Sequence, residues 1–312
     1  MRFIARIKLF KKQLCKCGLL LLAIFTIEFS VHATELKETQ PPVIHAHTVS
    51  ISAEERAWIQ EIFRQILFQD SGAYVLYGTK PMSWTCIQKM IPDGDDDQVS
   101  RYYNSLSDEK KAEYMAGLKD RFDFYTNFPT WKKIKDRLPI RQYLFGIFPP
   151  RFESDGPDSL LFINIEMALR TLLKHYEDFK RTLGFDFDPL EAIFEVENRD
   201  SKFWKGVMQH DVLLGILLGF GRDNAWFFKW AWREGEQNKV GDFLRSLPKD
   251  CYESQYVQDP DPQNFMLPIF GSYGLHPDDQ ELIEQYRCER EQIKALYKGR
   301  DEVDVALDWL TR

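Results

Sequence analysis

The chain has 312 residues, of which 44% are hydrophobic, 14% aromatic and 29% charged, and its formal net charge is −7. Its 24 Phe, 13 Tyr and 8 Trp supply far more apolar surface than a disordered chain carries. This composition excludes fibrous, collagen-like and wholly disordered proteins, and it allows a large hydrophobic core to be buried.

The N-terminus has the composition of an export signal. Residues 1–16 carry six basic side chains and no acidic one, and an apolar run at residues 17–27 follows them. As a helix this run would extend about 16 Å, which is short of the roughly 30 Å of a bilayer core. Val31 and Ala33 match the small or β-branched pattern that signal peptidase cleaves. We predict a cleavable signal peptide over residues 1–33, with an uncleaved N-terminal membrane anchor as the alternative.

Removal of this leader makes the mature chain strongly acidic. The leader has six basic residues and one acidic residue, a net charge of +5, so −7 minus +5 leaves −12 on the mature chain. Such a surface repels nucleic acid and anionic lipid. We therefore expect no nucleic-acid partner, and no transmembrane span once the signal is removed.

Export would place the mature protein in the periplasm or outside the cell. The cysteines that remain are Cys86, Cys251 and Cys288, which permit at most one internal disulfide in an oxidising compartment. We expect Cys251 to pair with Cys288, because both lie in the last third of the chain. Free thiols are the alternative.

The chain after the leader is predicted to fold as one domain. Residues 34–50 have no helical periodicity and are predicted to form an extended linker, and residues 51–312 are predicted to form a single, mainly helical globular domain. Capping signals and apolar periodicity predict helices at residues 52–69, 164–184, from 188 onward, at 277–298 and at 301–310. The β-prone runs predict strands at residues 73–77, 143–148 and 159–163.

These strands are too few for a doubly wound sheet, and the sequence has no internal repeat. The predicted fold class is therefore α+β, predominantly α-helical with a few short β-strands. A Rossmann, TIM-barrel, repeat or all-β architecture is not expected.

The segment 203–232 is unusually apolar and aromatic. Three charged residues within its first twenty positions make membrane insertion less favourable than burial in a protein core, so we predict a core helix. Gly215 and Gly219 stand four residues apart on one face of that helix. Because each costs about 1 kcal/mol relative to Ala inside a helix, we expect another backbone to approach this face closely.

The end of the same segment is a candidate binding site. Trp226, Trp230 and Trp232 are distributed around a helix that also carries Arg222, so not all of the rings can point inward. An exposed Trp beside Arg can stack on a sugar or capture a side chain of a partner. An aromatic core crossed by the cationic side chains is the alternative.

An acidic run gives one candidate metal site. Asp93, Asp95 and Asp97 occupy positions one, three and five of a calcium-loop pattern. Gln98 stands at position six instead of Gly, and Asn104 stands at position twelve instead of Glu. A solvated acidic turn therefore accounts for the run better than a calcium site does.

No complete catalytic motif is found, so we predict no catalytic residue and no cofactor, and the sequence favours a protein that is not an enzyme. Patterns at residues 72–80 and 271–274 approach a phosphate loop and a nucleophile elbow, but their spacings are wrong. The alternative is a hydrolase with a dispersed site. Its groups would come from Asp93–Asp97, His210, Asp211 and the irregular segment 235–274.

Two phrases of the sequence support a resemblance. GAYVLYGTKP at residues 72–81 and DVLLGILLGFGRDNA at residues 211–225 resemble segments of uncharacterised exported proteins of chlamydia-like intracellular bacteria. The resemblance implies a Gram-negative type of envelope and an organism that lives inside a host cell, and it assigns no activity. We therefore expect an exported binding protein, periplasmic or secreted, whose partner is an envelope component or a host-derived molecule.

Overall fold

A computed structural model describes residues 50–87, 98–118, 124–148, 158–231, 242–243, 265, 267–268 and 277–312. The chain from Thr48 to Arg312 clusters as one compact unit. Its fold is α+β and mainly helical, which confirms the predicted class, and its strands form a small antiparallel sheet.

The elements follow one another in two stretches. The first comprises α1 (Ala53–Phe63), a π-helical turn (Arg64–Gln69), α2 (Ala73–Leu76), β1 (Met82–Ile87), α3 (Gln98–Ser105), α4 (Asp108–Leu118), α5 (Phe124–Lys135) and β2 (Tyr143–Phe148). The second comprises β3 (Asp158–Asn164), α6 (Ile165–Lys174), α7 (Tyr176–Leu183), α8 (Pro189–Phe194), a 3₁₀ turn (Glu195–Glu197), α9 (Lys202–Met208), α10 (Asp211–Leu217), α11 (Arg222–Ala231), α12 (Pro277–Tyr297) and α13 (Glu302–Leu310).

Strand β3 lies at the centre of the sheet and pairs antiparallel with β1 on one side and with β2 on the other. Its apolar run sends alternate side chains to opposite faces. Leu160 and Phe162 join one hydrophobic cluster, whereas Leu161 and Ile163 join another. A strand with both faces buried has a continuous apolar sequence, as β3 has at residues 160–163.

The sheet thus separates two hydrophobic layers. The first layer contains residues of α1, α2, α5, α12 and α13, and within it the rings of Phe145 and Phe162 stack with centroids 4.6 Å apart. The second layer contains residues of α6 to α11. Trp204 lies in this layer, and its indole nitrogen donates a hydrogen bond of 2.8 Å to the carbonyl of Ala192.

Local capping interactions fix several helix ends where the sequence predicts them. Ser52 and Glu55 form a capping box at the start of α1. Asn164 and Asp188 accept hydrogen bonds from first-turn amides of α6 and α8. Gly184 ends α7 in the left-handed conformation, with φ of 78°.

Other predicted elements were wrong. Residues 73–77, predicted as a strand, contain helix α2, all of whose side chains are buried. A fully buried apolar run carries no periodicity that separates a helix from a strand. Strand β1 was not predicted, and the predicted helix at residues 164–184 is divided into α6 and α7 at His175, whose φ is −113°.

The apolar segment 203–232 is not one helix. It contains α9, α10 and α11, separated by turns. Among the helices that the structure describes, none combines the length and the apolar character needed to cross a bilayer.

Candidate functional site

The two segments that carry the resemblance meet in the fold. In residues 72–81, the side-chain nitrogen of Lys80 donates a hydrogen bond of 2.6 Å to the carbonyl of Leu218, in residues 211–225. A Cβ atom on Gly219 would lie 2.5 Å from the hydroxyl oxygen of Tyr286 and 3.0 Å from Cδ of Pro81, so these side chains leave no room for one. The contact between the two segments therefore requires glycine at position 219.

Lys80 is buried, with 2% of its surface exposed. Its nitrogen also donates a bond of 2.6 Å to the carbonyl of Met82, and it lies 5.3 Å from the ring centroid of Phe220. Burial lowers the pKa of Lys80 to about 7, while the charge of Asp70 acts in the opposite direction. The carbonyl of Leu218 stands at the end of α10, where helical carbonyls lack partners within the helix. Lys80 therefore joins the end of α10 to the start of β1.

Asp70 belongs to the same buried region. Burial raises the pKa of its carboxyl group, and hydrogen bonds with Gln65 and Thr85 and the charge of Lys80 oppose that increase. The bond from Gln65 is 3.0 Å long. Asp70 thus places a partly desolvated carboxyl group near the buried lysine.

Helix α12 holds the same two segments from the other side. Glu289 accepts hydrogen bonds from the backbone amide and the hydroxyl of Thr79, at 3.2 and 2.7 Å. Burial raises the pKa of Glu289, and its Oε2 atom has no hydrogen-bond partner among the described residues. Tyr286 donates a bond of 2.8 Å to the carbonyl of Gly219.

Shifted pKa values in buried groups are typical of catalytic sites, but they also occur in structural networks. The two bonds of Lys80 end on main-chain carbonyls of α10 and β1, and those of Glu289 come from Thr79 and Gln285. Such partners fix backbone segments. The sequence did not single out this network, because its members are far apart in the chain and form no local pattern.

Helix α11 presents the predicted aromatic site. We call Trp226, Phe227 and Trp230 the α11 aromatic face, because these three residues lie within about 100° of one another around the helix. The ring centroids of Trp226 and Trp230 lie 5.8 Å apart, and those of Phe227 and Trp230 lie 5.7 Å apart. Trp230 is 41% exposed, and Phe228, which lies about 160° away around the helix and outside this face, is 45% exposed. Part of this aromatic group therefore faces solvent.

A cation lies on the α11 aromatic face, but it is Lys229. Its nitrogen is 5.5 Å from the ring centroid of Trp226 and 3.0 Å from Nε2 of His210. Arg222, which was predicted to accompany the rings, instead forms a two-bond ion pair with Asp178 of α7, at 2.6 and 3.1 Å. Its hydrogen bonds are the main reason why the pKa of Asp178 is lowered.

The two glycines differ in role. A Cβ atom on Gly215 would lie 2.9 Å from Cβ of Ala225, so α10 and α11 approach closely at that point. The placement of Gly219 on the same helical face was wrong. Gly219 follows the end of α10 with φ of 75°, a conformation that glycine adopts without strain.

The other candidate residues are only partly described. Asp93, Asp95, Asp97, Trp232 and Cys251 lie outside the described residues. Cys288 is an exposed residue of α12, and its pairing with Cys251 stays a prediction. No group of three or more His, Cys, Asp or Glu suited to a metal ion occurs among the described residues.

Only a few residues of the alternative, dispersed hydrolase site belong to the described part of the chain. His210 precedes α10 and Asp211 begins it, whereas Asp93–Asp97 and almost all of residues 235–274 lie outside the described part of the chain.

Comparisons of the chain with protein-family models, with curated proteins and with solved structures give no match.

Proposed function

We propose that the protein is an exported binding protein that holds a partner protein through the α11 aromatic face. The partner is an envelope component or a host-derived protein that reaches the same compartment. The 41% exposure of Trp230, whose ring lies beside those of Trp226 and Phe227, is the observation that carries this proposal. Large aromatic side chains are enriched at protein interfaces, where they bury much area at small entropic cost.

The attachment of α11 to the body of the protein also supports binding. Gly215 packs against Ala225, Arg222 pairs with Asp178, and Tyr286 bonds to the turn before the helix. A helix held at its base in this way is already ordered before the partner arrives. Preorganisation of this kind lowers the cost of association.

The geometry of the rings favours a protein partner over a sugar. The rings of Trp226 and Trp230 are tilted by 36° to each other, those of Phe227 and Trp230 meet edge to face, and Lys229 lies over Trp226. Sugar stacking needs a flat, uncovered ring face. Rings tilted against one another instead fit among the apolar side chains of a protein surface.

The sequence of the leader supports the proposal that the protein is exported. Its basic start and short apolar run are typical of a signal peptide, and the acidic charge that remains after cleavage disfavours nucleic acid and anionic lipid as partners.

Site-specific crosslinking in producing cells tests the proposal. A photoreactive phenylalanine analogue in place of Trp230 should give one discrete adduct with a partner protein. The same analogue in place of Tyr102, which is 56% exposed on α3, is the matched control and should not give that adduct. With the purified partner, Trp230→Ser should weaken binding about tenfold or more, and Tyr102→Ser should leave it unchanged.

The proposal is wrong if position 230 gives no adduct, if both positions give the same adduct, or if Trp230→Ser leaves the affinity unchanged. A glycan-binding screen decides between a protein partner and a carbohydrate ligand. Sugar binding that Trp230→Ser removes would replace the protein partner with a carbohydrate.

A further inference from the structure

A concave surface lies beside α8, away from the residues of the α11 aromatic face. A cavity of about 330 Å³ lies between the segment that leads into α8, the 3₁₀ turn after it, and the start of α9. Phe185, Phe187 and Phe203 supply its aromatic lining. Phe203 is 2% exposed, and its ring centroid lies 4.8 Å from that of Phe187, so the rings belong to the packed second layer. The cavity therefore has a fixed aromatic wall.

The other lining residues are mainly acidic. The acidic residues are Asp186, Asp188, Glu191, Glu195 and Asp200, Lys202 is the one basic residue, and Ala192, Asn198 and Ser201 complete the lining. Asp186 and Asp200 pair with lysines, at 2.7 and 3.0 Å. The remaining three carboxylates have no lysine or arginine partner among the described residues, so the cavity favours a cationic group.

An exposed apolar ridge borders this cavity. Leu190 and Phe194 stand one turn apart on α8 and are 44% and 57% exposed. Glu191, between them in the sequence, lines the cavity. Apolar side chains of that size that are left exposed beside a concave surface are typical of interaction sites.

We propose that this cavity and its ridge form a docking surface for a segment of a partner protein in which an arginine or lysine adjoins an apolar side chain. The aliphatic stem of the basic residue lies along the partly exposed Phe185 and Phe187, and its cationic head lies among Asp188, Glu191 and Glu195. The adjoining apolar side chain packs on Leu190 and Phe194. Charge complementarity selects this occupant over an acidic or a neutral one.

Peptide binding to the full chain tests the proposal. The probe is a fluorescent hexapeptide in which leucine alternates with arginine, and the comparison peptide has glutamate in place of arginine. We expect saturable binding of the arginine peptide only, with an affinity that falls as salt is added. Glu191→Lys should weaken this binding about tenfold or more, and Phe194→Ser should also weaken it.

Two control variants distinguish binding at this cavity from nonspecific attraction of a basic peptide to an acidic protein. Glu113→Lys makes the same change of charge at an exposed position of α4 and should leave the affinity nearly unchanged. Trp230→Ser should also have no effect, because the docking surface is separate from the α11 aromatic face and does not depend on it. The proposal is overturned if the arginine peptide does not bind, if Glu113→Lys weakens binding as much as Glu191→Lys, or if spermidine competes as effectively as unlabelled peptide.

Discussion

The side-chain nitrogen of Lys80 lies 2.6 Å from the carbonyl oxygen of Leu218, and a bond of equal length joins it to the carbonyl of Met82. Both acceptors are main-chain groups at the end of one element and the start of another. Buried carbonyls need a donor, and here one lysine supplies it to both.

Replacement of this lysine should destabilise the fold. Lys80→Met leaves two carbonyls without their donor, and each such loss costs about 1–3 kcal/mol. We expect the free energy of unfolding to fall by about 2 kcal/mol or more at about pH 9, measured by denaturant titration. Lys132→Met, at an exposed position of α5, is the matched control and should be nearly neutral. Equal stability of the two variants would contradict the role of Lys80.

The same lysine predicts a dependence of stability on pH. Burial lowers the pKa of Lys80 from its ordinary value of 10.5 to about 7. Between these values the unfolded chain binds a proton that the folded chain has released, so this group makes stability rise with pH, by up to about 1.4 kcal/mol per pH unit. The advantage of the wild type over Lys80→Met should therefore grow between about pH 7 and about pH 9.5. A constant difference would argue against a titrating lysine.

Glu289 should make the stability of the fold decrease as the pH rises, which is opposite to the effect of Lys80. Its pKa is raised by burial, so its contribution to stability is lost as the pH rises from 4.5 through the folded value. Glu289→Gln keeps an acceptor for Thr79 and removes the charge. We expect this variant to be more stable than the wild type at about pH 8, with a smaller difference at about pH 5. Thermal melts at both pH values measure this, and a loss of stability at the higher pH would refute it.

Gly215 should not tolerate a side chain. Gly215→Leu places a Cβ atom 2.9 Å from Cβ of Ala225, and further atoms would push α10 and α11 apart. Overpacking of this kind costs about 1–3 kcal/mol, so the Tm should fall by several degrees. Gly117→Leu is the control, because a Cβ atom on Gly117 meets nothing within 4 Å. An unchanged melting curve for Gly215→Leu would rule out the close contact.

The export signal makes a prediction about the mature N-terminus. Mass spectrometry of the exported protein should find Thr34 as its first residue, and Ala33→Lys should block cleavage by removing the small side chain at the cleavage site. Retention of residues 1–33 in the exported form would instead support the uncleaved anchor.

Features set by neighbours in the sequence were predictable. The caps at Ser52, Asn164 and Asp188 and the left-handed Gly184 each depend on residues within a few positions. The identity of α2 was not predictable in this way, because its four buried residues fit a helix and a strand equally well and contacts with distant elements decide between them. Strand β1 alternates Met82 and Trp84 with polar residues, a signal that could have identified it.

The geometry of the candidate surfaces also depends on contacts between distant elements and could not be predicted from the sequence. The aromatic excess near Trp226 and Trp230 is visible in the sequence, but the choice of Asp178 as the partner of Arg222 depends on how α7 packs beside α11. The aromatic cavity beside α8 also needs the fold, since Phe187 and Phe203 are brought together by packing. The sequence showed the composition of these sites and could not show their geometry.

Strand β3 has a consequence for cooperativity. Since its alternate residues belong to the cores on both sides, neither layer can lose its packing without exposing the strand that serves the other. The two layers should therefore unfold in one transition. The amide protons of β3 should also be among the slowest to exchange with deuterated water.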